Sequence, residues 1–153
     1  MNKDHRKNTM NCSHDLLSAN SLNSNLAEIN DAAGIHPVKT HPEIITILNT
    51  ALLYSEKTNG AFDPSIGPLV KEWNIGFDSA KIPDQKHITE ALRLINYKDI
   101  KINDSDNTVF LSKKGMKLDL GAIAKGFAAD DLVSLCKKWK IKHAILDLGG
   151  NIY

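Results

Sequence analysis

The apolar residues of the segment KLDLGAIAKGFAADDL, residues 117–132, change their spacing at Gly121. From Lys117 to Leu120 polar and apolar residues alternate, as in a β-strand, and from Ala122 onward apolar residues recur at helical intervals. The segment therefore constrains the fold to one in which a strand leads through a glycine corner into a helix. The corner is either a phosphate site or an ordinary connection between a strand and a helix.

Capping residues and apolar spacing predict four helical segments before this corner. Ser24 caps a short helix that continues through Asn30. Thr40 to Glu43 start a longer helix that ends at Asn59 and Gly60, and its buried stripe comprises Ile44, Ile47, Leu48, Ala51 and Leu52. Two further helices cover Pro68–Trp73 and Asp84–Leu94, the second with inward residues Ile88, Ala91, Leu92 and Ile95.

Alternation and turn residues predict the strands. Three short strands are expected at Asp99–Ile102, Thr108–Ser112 and Met116–Leu120, followed by a helix from Ala122 to about Trp139. A further strand, Ala144–Leu148, ends at a Gly-Gly corner, so the chain is expected to stop in mid-sheet with an unpaired edge at Tyr153. Residues 1–13 are polar and predicted to be disordered.

Composition bounds the class of protein and of partner. The chain has 153 residues, 42% hydrophobic and 24% charged, which suits one globular domain. A formal net charge of +1 argues against a nucleic-acid or membrane-surface protein and favours a small-molecule or protein partner. The N-terminus lacks the apolar stretch of a signal peptide, and no run approaches ~20 apolar residues, so a cytoplasmic protein is expected.

Cysteine and histidine give no pattern of a metal site or a nucleophile. Cys12 and Cys136 lie in a polar stretch and in a predicted helix, so neither a disulfide framework nor a thiolate cluster is expected. The six histidines show no metal-ligand spacing. No Ser/His/Asp or Cys/His arrangement can be assembled from the sequence order, so catalytic residues stay unknown.

The first candidate binding segment is Gly60-Ala61-Phe62-Asp63-Pro64. Glycine and alanine leave the backbone uncovered, so a flat ligand could approach it closely, and Asp63 offers a carboxylate held by the stiff bond to Pro64. The alternative is a helix-terminating loop in which Phe62 fills the core and Asp63 caps a turn. Both interpretations stay open on the pattern alone.

The second candidate is the corner at Gly121. A helix that begins near Ala122 points free backbone N–H groups and a partial positive charge outward, which suits a phosphate, and Lys125 adds a full charge. Asp119 could hold a ribose or ring hydroxyl or help to organise a cation. In the alternative, Asp119 caps the helix and Lys125 is a solvated surface residue.

The third candidate is Asp147-Leu148-Gly149-Gly150-Asn151. Paired glycines after a strand permit positive φ and the close approach of a ligand or of another chain segment. They also permit an ordinary turn. Chemistry at this segment therefore depends on what else lies beside it.

Taken together, these segments resemble one family. TNGAFDPSIGPLVKEWNIG at 58–76, KLDLGAIAKGFAAD at 117–130 and ILDLGGNIY at 145–153 follow the order and spacing of the FAD:protein FMN transferase family, known as ApbE. The run LLSANSLNSNLAEINDAAG at 16–34 is similar to the family's early segment. The resemblance implies an α+β fold in which helices pack on a mixed, largely antiparallel sheet, with residues 1–153 as a single partial domain.

The resemblance also implies a chemistry. Family members use Mg²⁺ to cleave the diphosphate of FAD, transfer the FMN phosphoryl group to a threonine hydroxyl of a target flavoprotein and release AMP; some relatives instead hydrolyse FAD to FMN and AMP. Ala122 corresponds to the residue whose backbone carbonyl helps to hold Mg²⁺. The positions that correspond to FAD contacts are Ala61, Phe62, Asp63, Asp119 and Lys125.

The sequence departs from the family pattern in two ways. Asn20 stands where many relatives have an aromatic residue near a FAD contact. The family also continues beyond the DLGGN segment with a histidine-bearing segment, further flavin contacts and the Asp and Thr that complete the Mg²⁺ site, and full-length relatives are often exported or membrane-anchored. Two interpretations stay open: a transferase whose other half is supplied elsewhere, for example by a companion chain, or a non-enzymatic remnant that binds flavin weakly.

Overall fold

The structure is a computed structural model of the chain, and it describes residues 24–150 and 152–153. The chain divides into two compact units, the first ending at Asp119 and the second running from Leu120 to Tyr153. The prediction of disorder at residues 1–13 and the position of Asn20 lie outside the described residues. Within the described ranges, no helix combines the length and the apolar character needed to cross a membrane.

The first unit contains four of the predicted helices, α1 Asn25–Asp31, α2 Pro42–Lys57, α3 Gly67–Trp73 and α4 Gln85–Leu92. Ser24 caps α1 as predicted, since its Oγ accepts from the Ala27 N–H at 3.0 Å. Helix α2 begins one residue later than predicted, with His41 as N-cap and no capping bond from a side chain. Leu92 was predicted to point inward, which is wrong: it closes the short helix α4 and is 52% exposed.

The sheet of the first unit is antiparallel, with strands β1 Val38–Lys39, β2 Ile100–Asn103 and β3 Thr108–Leu111 in the order β1-β3-β2. Val109 of β3 lies opposite Ile102 on one side and Val38 on the other. Helix α1 packs against β3. The predicted α+β class with a largely antiparallel sheet is therefore confirmed, and β1 is a two-residue strand that the sequence pattern did not indicate.

The core of the first unit is built from the apolar faces of its helices and from β3. Because these side chains are almost fully removed from water, their burial is the main stabilising contribution. The largest buried side chains are Leu26, Ile29, Ile44, Ile47, Leu48, Val109, Leu111, Met116 and Leu118. The predicted α2 stripe is confirmed at Ile44, Ile47, Leu48 and Ala51, with Ile45 in addition.

The prediction of a strand at Met116–Leu120 is wrong, although its alternating burial is present. This segment has a single parallel bridge, between Lys117 and Ile66. The main chain of Leu118 is paired with a side chain, because the Asn30 amide accepts from the Leu118 N–H at 2.6 Å and donates to the Leu118 carbonyl at 3.1 Å. The alternation of polar and apolar residues thus reflects the burial of every second side chain, and not pairing with a neighbouring strand.

The second unit consists of one long helix and a hairpin-like turn. Helix α5, Gly121–Lys138, agrees with the prediction to within one residue. The predicted strand Ala144–Leu148 is wrong, since its regular pairing is confined to a bridge between Asp147 and Ile152. Leu146 and Tyr153 exchange two backbone hydrogen bonds of 3.1 and 2.9 Å, so the predicted unpaired edge at Tyr153 is also wrong.

An ion pair fastens the connection between α4 and β2 to the end of β3. The Lys113 Nζ lies 2.8 Å from a carboxylate oxygen of Asp99 and holds the pKa of that group below its usual range, and the Asn96 amide adds a bond of 2.9 Å to the same oxygen. Ser112 donates from both its N–H and its hydroxyl to the Asp99 carbonyl, at 3.0 and 2.7 Å. The side chain and main chain of Asp99 therefore hold the same junction.

We expect Asp99→Asn to reduce the acid sensitivity of the fold. Because folding lowers the pKa of Asp99 below its ordinary 3.8, the ion pair stabilises the chain fully above that value and is lost as the pH falls through the folded pKa. The Lys113 side chain is 46% exposed, so screening limits the contribution to about 1 kcal/mol or less. Denaturant unfolding at neutral and acidic pH measures it, with Asp78→Asn at an exposed position as control. An unchanged pH dependence in Asp99→Asn would contradict this assignment.

Candidate active site

The first candidate segment, Ala61 to Asp63, follows Asn59 and Gly60, two left-handed residues that come directly after the C-cap of α2. The N–H groups of Ala61 and Phe62 are already used: they donate to the carbonyl and to the hydroxyl of Thr58, at 3.1 Å each. Ala61 is exposed and Phe62 half-buried. What Ala61 and Phe62 can offer a ligand is therefore their backbone carbonyls and the ring of Phe62, not backbone donors.

The carboxylate of Asp63 is held by the chain itself. One oxygen accepts from the N–H and the hydroxyl of Ser65, at 2.8 and 2.6 Å, and the other accepts from the Tyr97 N–H at 2.9 Å. An ionised carboxylate has about four acceptor positions, so three of them are occupied. Asp63 thus caps a turn in the structure, as the second interpretation of this segment expects.

The part of the second candidate segment that belongs to the first unit, residues 117–119, lies against the first candidate segment. The Asp119 N–H donates to the Pro64 carbonyl at 2.9 Å, and the Gly67 N–H donates to the Lys117 carbonyl at 3.2 Å. A Cβ at Gly67 would stand 2.6 Å from that carbonyl oxygen, so this approach requires glycine. Residues far apart in the sequence, Asp63 and Asp119, are therefore brought onto adjoining main-chain segments.

The start of helix α5 offers fewer donors than predicted. Leu120 is the N-cap residue and has no capping bond from its side chain. Its carbonyl accepts from the N–H groups of both Ile123 and Ala124, at 3.0 and 2.8 Å. The expectation of several free N–H groups is therefore wrong for these two residues. Any anion binding at this helix start depends mainly on the charge of Lys125.

Lys125 and the Gly-Gly corner lie side by side in the second unit. A Cβ added at Gly149 would stand 3.7 Å from the Lys125 Nζ, and both residues are exposed. Gly149 and Gly150 have φ values of 67° and 89°, a conformation that favours glycine, and the Gly150 N–H donates to the Asp147 carboxylate at 2.9 Å. An ammonium group beside an uncovered backbone is an arrangement that can receive a phosphate.

Known proteins with a similar sequence and fold identify the family of this chain. The sequence model of the ApbE family matches residues 3–153. The chain belongs to the ApbE family. A FAD:protein FMN transferase of Treponema pallidum is 43% identical over 90% of this chain, and one of Klebsiella pneumoniae is 38% identical over 91%. The crystal structure of the ApbE protein of Thermotoga maritima superposes with a TM-score of 0.88 at 28% identity over 97% of the chain.

The match covers only part of each relative. The chain spans 40% of the Treponema pallidum protein, 44% of the Klebsiella pneumoniae protein and 48% of the Thermotoga maritima structure. Membership of the ApbE family is therefore established over nearly the whole chain, while more than half of each of these relatives has no counterpart in it.

The donor set of the described residues does not make a Mg²⁺ site by itself. Ala122 is the second residue of α5, so its carbonyl faces the helical N–H of Gly126 and keeps one lone pair for another partner. Among residues 24–150 and 152–153, no group of three or more His, Cys, Asp or Glu could hold a metal ion. Since Mg²⁺ prefers about six oxygen ligands, one backbone oxygen is not enough.

The sequence pattern did not single out two hydroxyl residues that shape this site, Thr58 and Ser65. Each contacts the Ala61–Asp63 segment from one end. A signal for Ser65 was available, because a side chain two residues after an aspartate often completes a turn with it. The hydroxyl of Thr58 gave none, since its partner Phe62 is four residues away in a loop.

Proposed function

We propose that this chain forms part of a single ApbE-like domain that acts as a FAD:protein FMN transferase. In this reaction the diphosphate bridge of FAD breaks and the FMN phosphoryl group bonds to a threonine Oγ of a target flavoprotein. AMP leaves and the hydroxyl proton is released. The observation that carries the proposal is the position of the Lys125 ammonium beside the Gly149 backbone, because cleavage of a diphosphate depends on positioning and on neutralising its charge.

Each candidate residue has a role in this proposal. Lys125 contacts the diphosphate through its charge, and the Gly149 corner lets a phosphate oxygen approach the backbone. Ala61 and Phe62 contact FAD through carbonyl oxygens and the half-buried ring. Asp63 contacts FAD through the main chain of the same segment, and Asp119 accepts from a hydroxyl of the ribose or ribityl chain.

The proposal includes Mg²⁺ dependence, with the Ala122 carbonyl as one ligand. Because no group of three or more His, Cys, Asp or Glu among the described residues could hold the ion, a companion chain supplies further ligands in this proposal. A reaction that proceeds at an unchanged rate after chelation by EDTA would contradict the proposed Mg²⁺ dependence.

Flavin fluorescence tests the binding part of this proposal. Titration of FAD with the chain is expected to give a dissociation constant in the micromolar range, whereas riboflavin, which lacks the diphosphate, binds at least about tenfold more weakly. Equal affinity for the two ligands would contradict a diphosphate site. No response to FAD would contradict a FAD site in this chain and favour the non-enzymatic remnant.

A further inference from the structure

Thr58 closes the loop before the candidate FAD segment. Its Oγ1 donates to the Tyr54 carbonyl at 2.8 Å, in the last turn of α2, and accepts from the Phe62 N–H at 3.1 Å. Its carbonyl accepts from the Ala61 N–H. Although the residue is exposed, it therefore fixes two consecutive amides of the segment to the end of a helix.

Ser65 holds the other end of the segment from inside the protein. It is fully buried, its Oγ donates to Asp63 at 2.6 Å, and the same oxygen accepts from the Asn96 N–H at 2.9 Å. Asp63 in turn accepts from the Tyr97 N–H. Two neighbouring amides of the α4–β2 connection are thereby joined to the segment through one hydroxyl and one carboxylate.

We infer that Thr58 and Ser65 are positioning residues for FAD binding. The Asp63 carboxylate fixes the loop instead of contacting FAD. The inference rests on the proposed function. Three of about four acceptor positions of Asp63 are occupied inside the chain, so little of the carboxylate is left for a ligand. The ligand meets the carbonyls of Ala61 and Phe62, whose direction depends on the bonds from Thr58 and Ser65.

A rigid loop binds more tightly than a mobile one, because its conformational entropy has been lost before the ligand arrives. Removal of either hydroxyl frees one end of the segment without removing any atom that touches FAD. The expected effect is therefore a weaker affinity for FAD in a chain that remains folded.

Four variants of the full chain test this inference by FAD fluorescence titration. Thr58→Ala is expected to raise the dissociation constant for FAD about tenfold, and Thr58→Ser, which keeps the hydroxyl, to restore it to within about threefold. Ser65→Ala is expected to act like Thr58→Ala. Ser55→Ala is the matched control, because Ser55 is equally buried but donates to the Ala51 carbonyl within α2. Thermal melting of each variant verifies that it is folded.

The outcomes separate this inference from the proposed function. If the unmodified chain does not bind FAD, the proposed function fails. If it binds FAD and both Thr58→Ala and Ser65→Ala bind within twofold of it, the positioning inference fails alone. Equal weakening by Ser55→Ala, or no recovery in Thr58→Ser, also overturns the inference. Should Ser65→Ala not fold, the exposed pair Thr58→Ala and Thr58→Ser decides.

Discussion

Asn30→Ala is expected to lower the free energy of unfolding by about 2–5 kcal/mol, because it leaves two buried main-chain groups without partners. The Asn30 amide accepts from the Leu118 N–H at 2.6 Å and donates to the Leu118 carbonyl at 3.1 Å, over a separation of 88 residues. Asn30 is 8% exposed and Leu118 1% exposed, so water cannot take over these bonds. Each unsatisfied buried group costs about 1–3 kcal/mol.

Urea denaturation followed by circular dichroism measures this effect, with Asn49→Ala as the control. Asn49 is an exposed asparagine whose one long-range hydrogen bond, to Asp104 at 2.8 Å, lies at the surface. Its replacement is expected to change the free energy of unfolding by less than about 0.5 kcal/mol. A similar small change in Asn30→Ala would contradict the role given to its amide.

Lys125→Ala is expected to weaken FAD binding about tenfold or more, because a charge-assisted contact with a phosphate contributes about 1.5–3 kcal/mol. The effect requires the ammonium group of Lys125 to lie beside Gly149, as it does in the structure. Riboflavin affinity is expected to change by less than about twofold, since riboflavin carries no diphosphate.

Lys138→Ala is the matched control for Lys125→Ala. Both lysines are exposed and lie on α5, but Lys138 is the last residue of the helix, more than three turns after Lys125. Affinity for FAD in Lys138→Ala is expected to stay within about twofold of the unmodified chain. If both variants weaken FAD binding equally, the lysines act through net charge, and the proposal of a specific phosphate contact at Lys125 is wrong.

Local signals predicted the helices well. Caps and apolar spacing act within a few residues, so the cap at Ser24 could be recognised for α1 and the change of apolar spacing near Gly121 for α5. The long-range pairing could not be predicted in the same way. The alternation at Met116–Leu120 is real, but its partners are an asparagine 88 residues away and the loop at Pro64, and no local pattern specifies either.

The candidate site shows the same division. The sequence pattern indicates Ala61, Asp119 and Lys125 as candidates beside an ordinary structural role, the resemblance to the ApbE family favours binding, and their contribution to binding stays a prediction. The structure adds what sequence order does not contain: Asp119 is tied to the Pro64 carbonyl, and Lys125 lies beside Gly149. The role of Asp63 in its own loop depends on the position of Tyr97, 34 residues later, and could not be derived from the motif.

The most direct test of the proposed function is FMN transfer by a chimera of the Treponema pallidum FAD:protein FMN transferase. In the chimera this chain replaces the matching 40% of that protein. With FAD, Mg²⁺ and a threonine-bearing acceptor of the parent enzyme, we predict equal amounts of AMP and of acceptor heavier by one FMN group. Release of FMN and AMP without acceptor labelling would indicate a FAD hydrolase. A folded chimera that leaves FAD intact while the parent enzyme cleaves it would contradict the account.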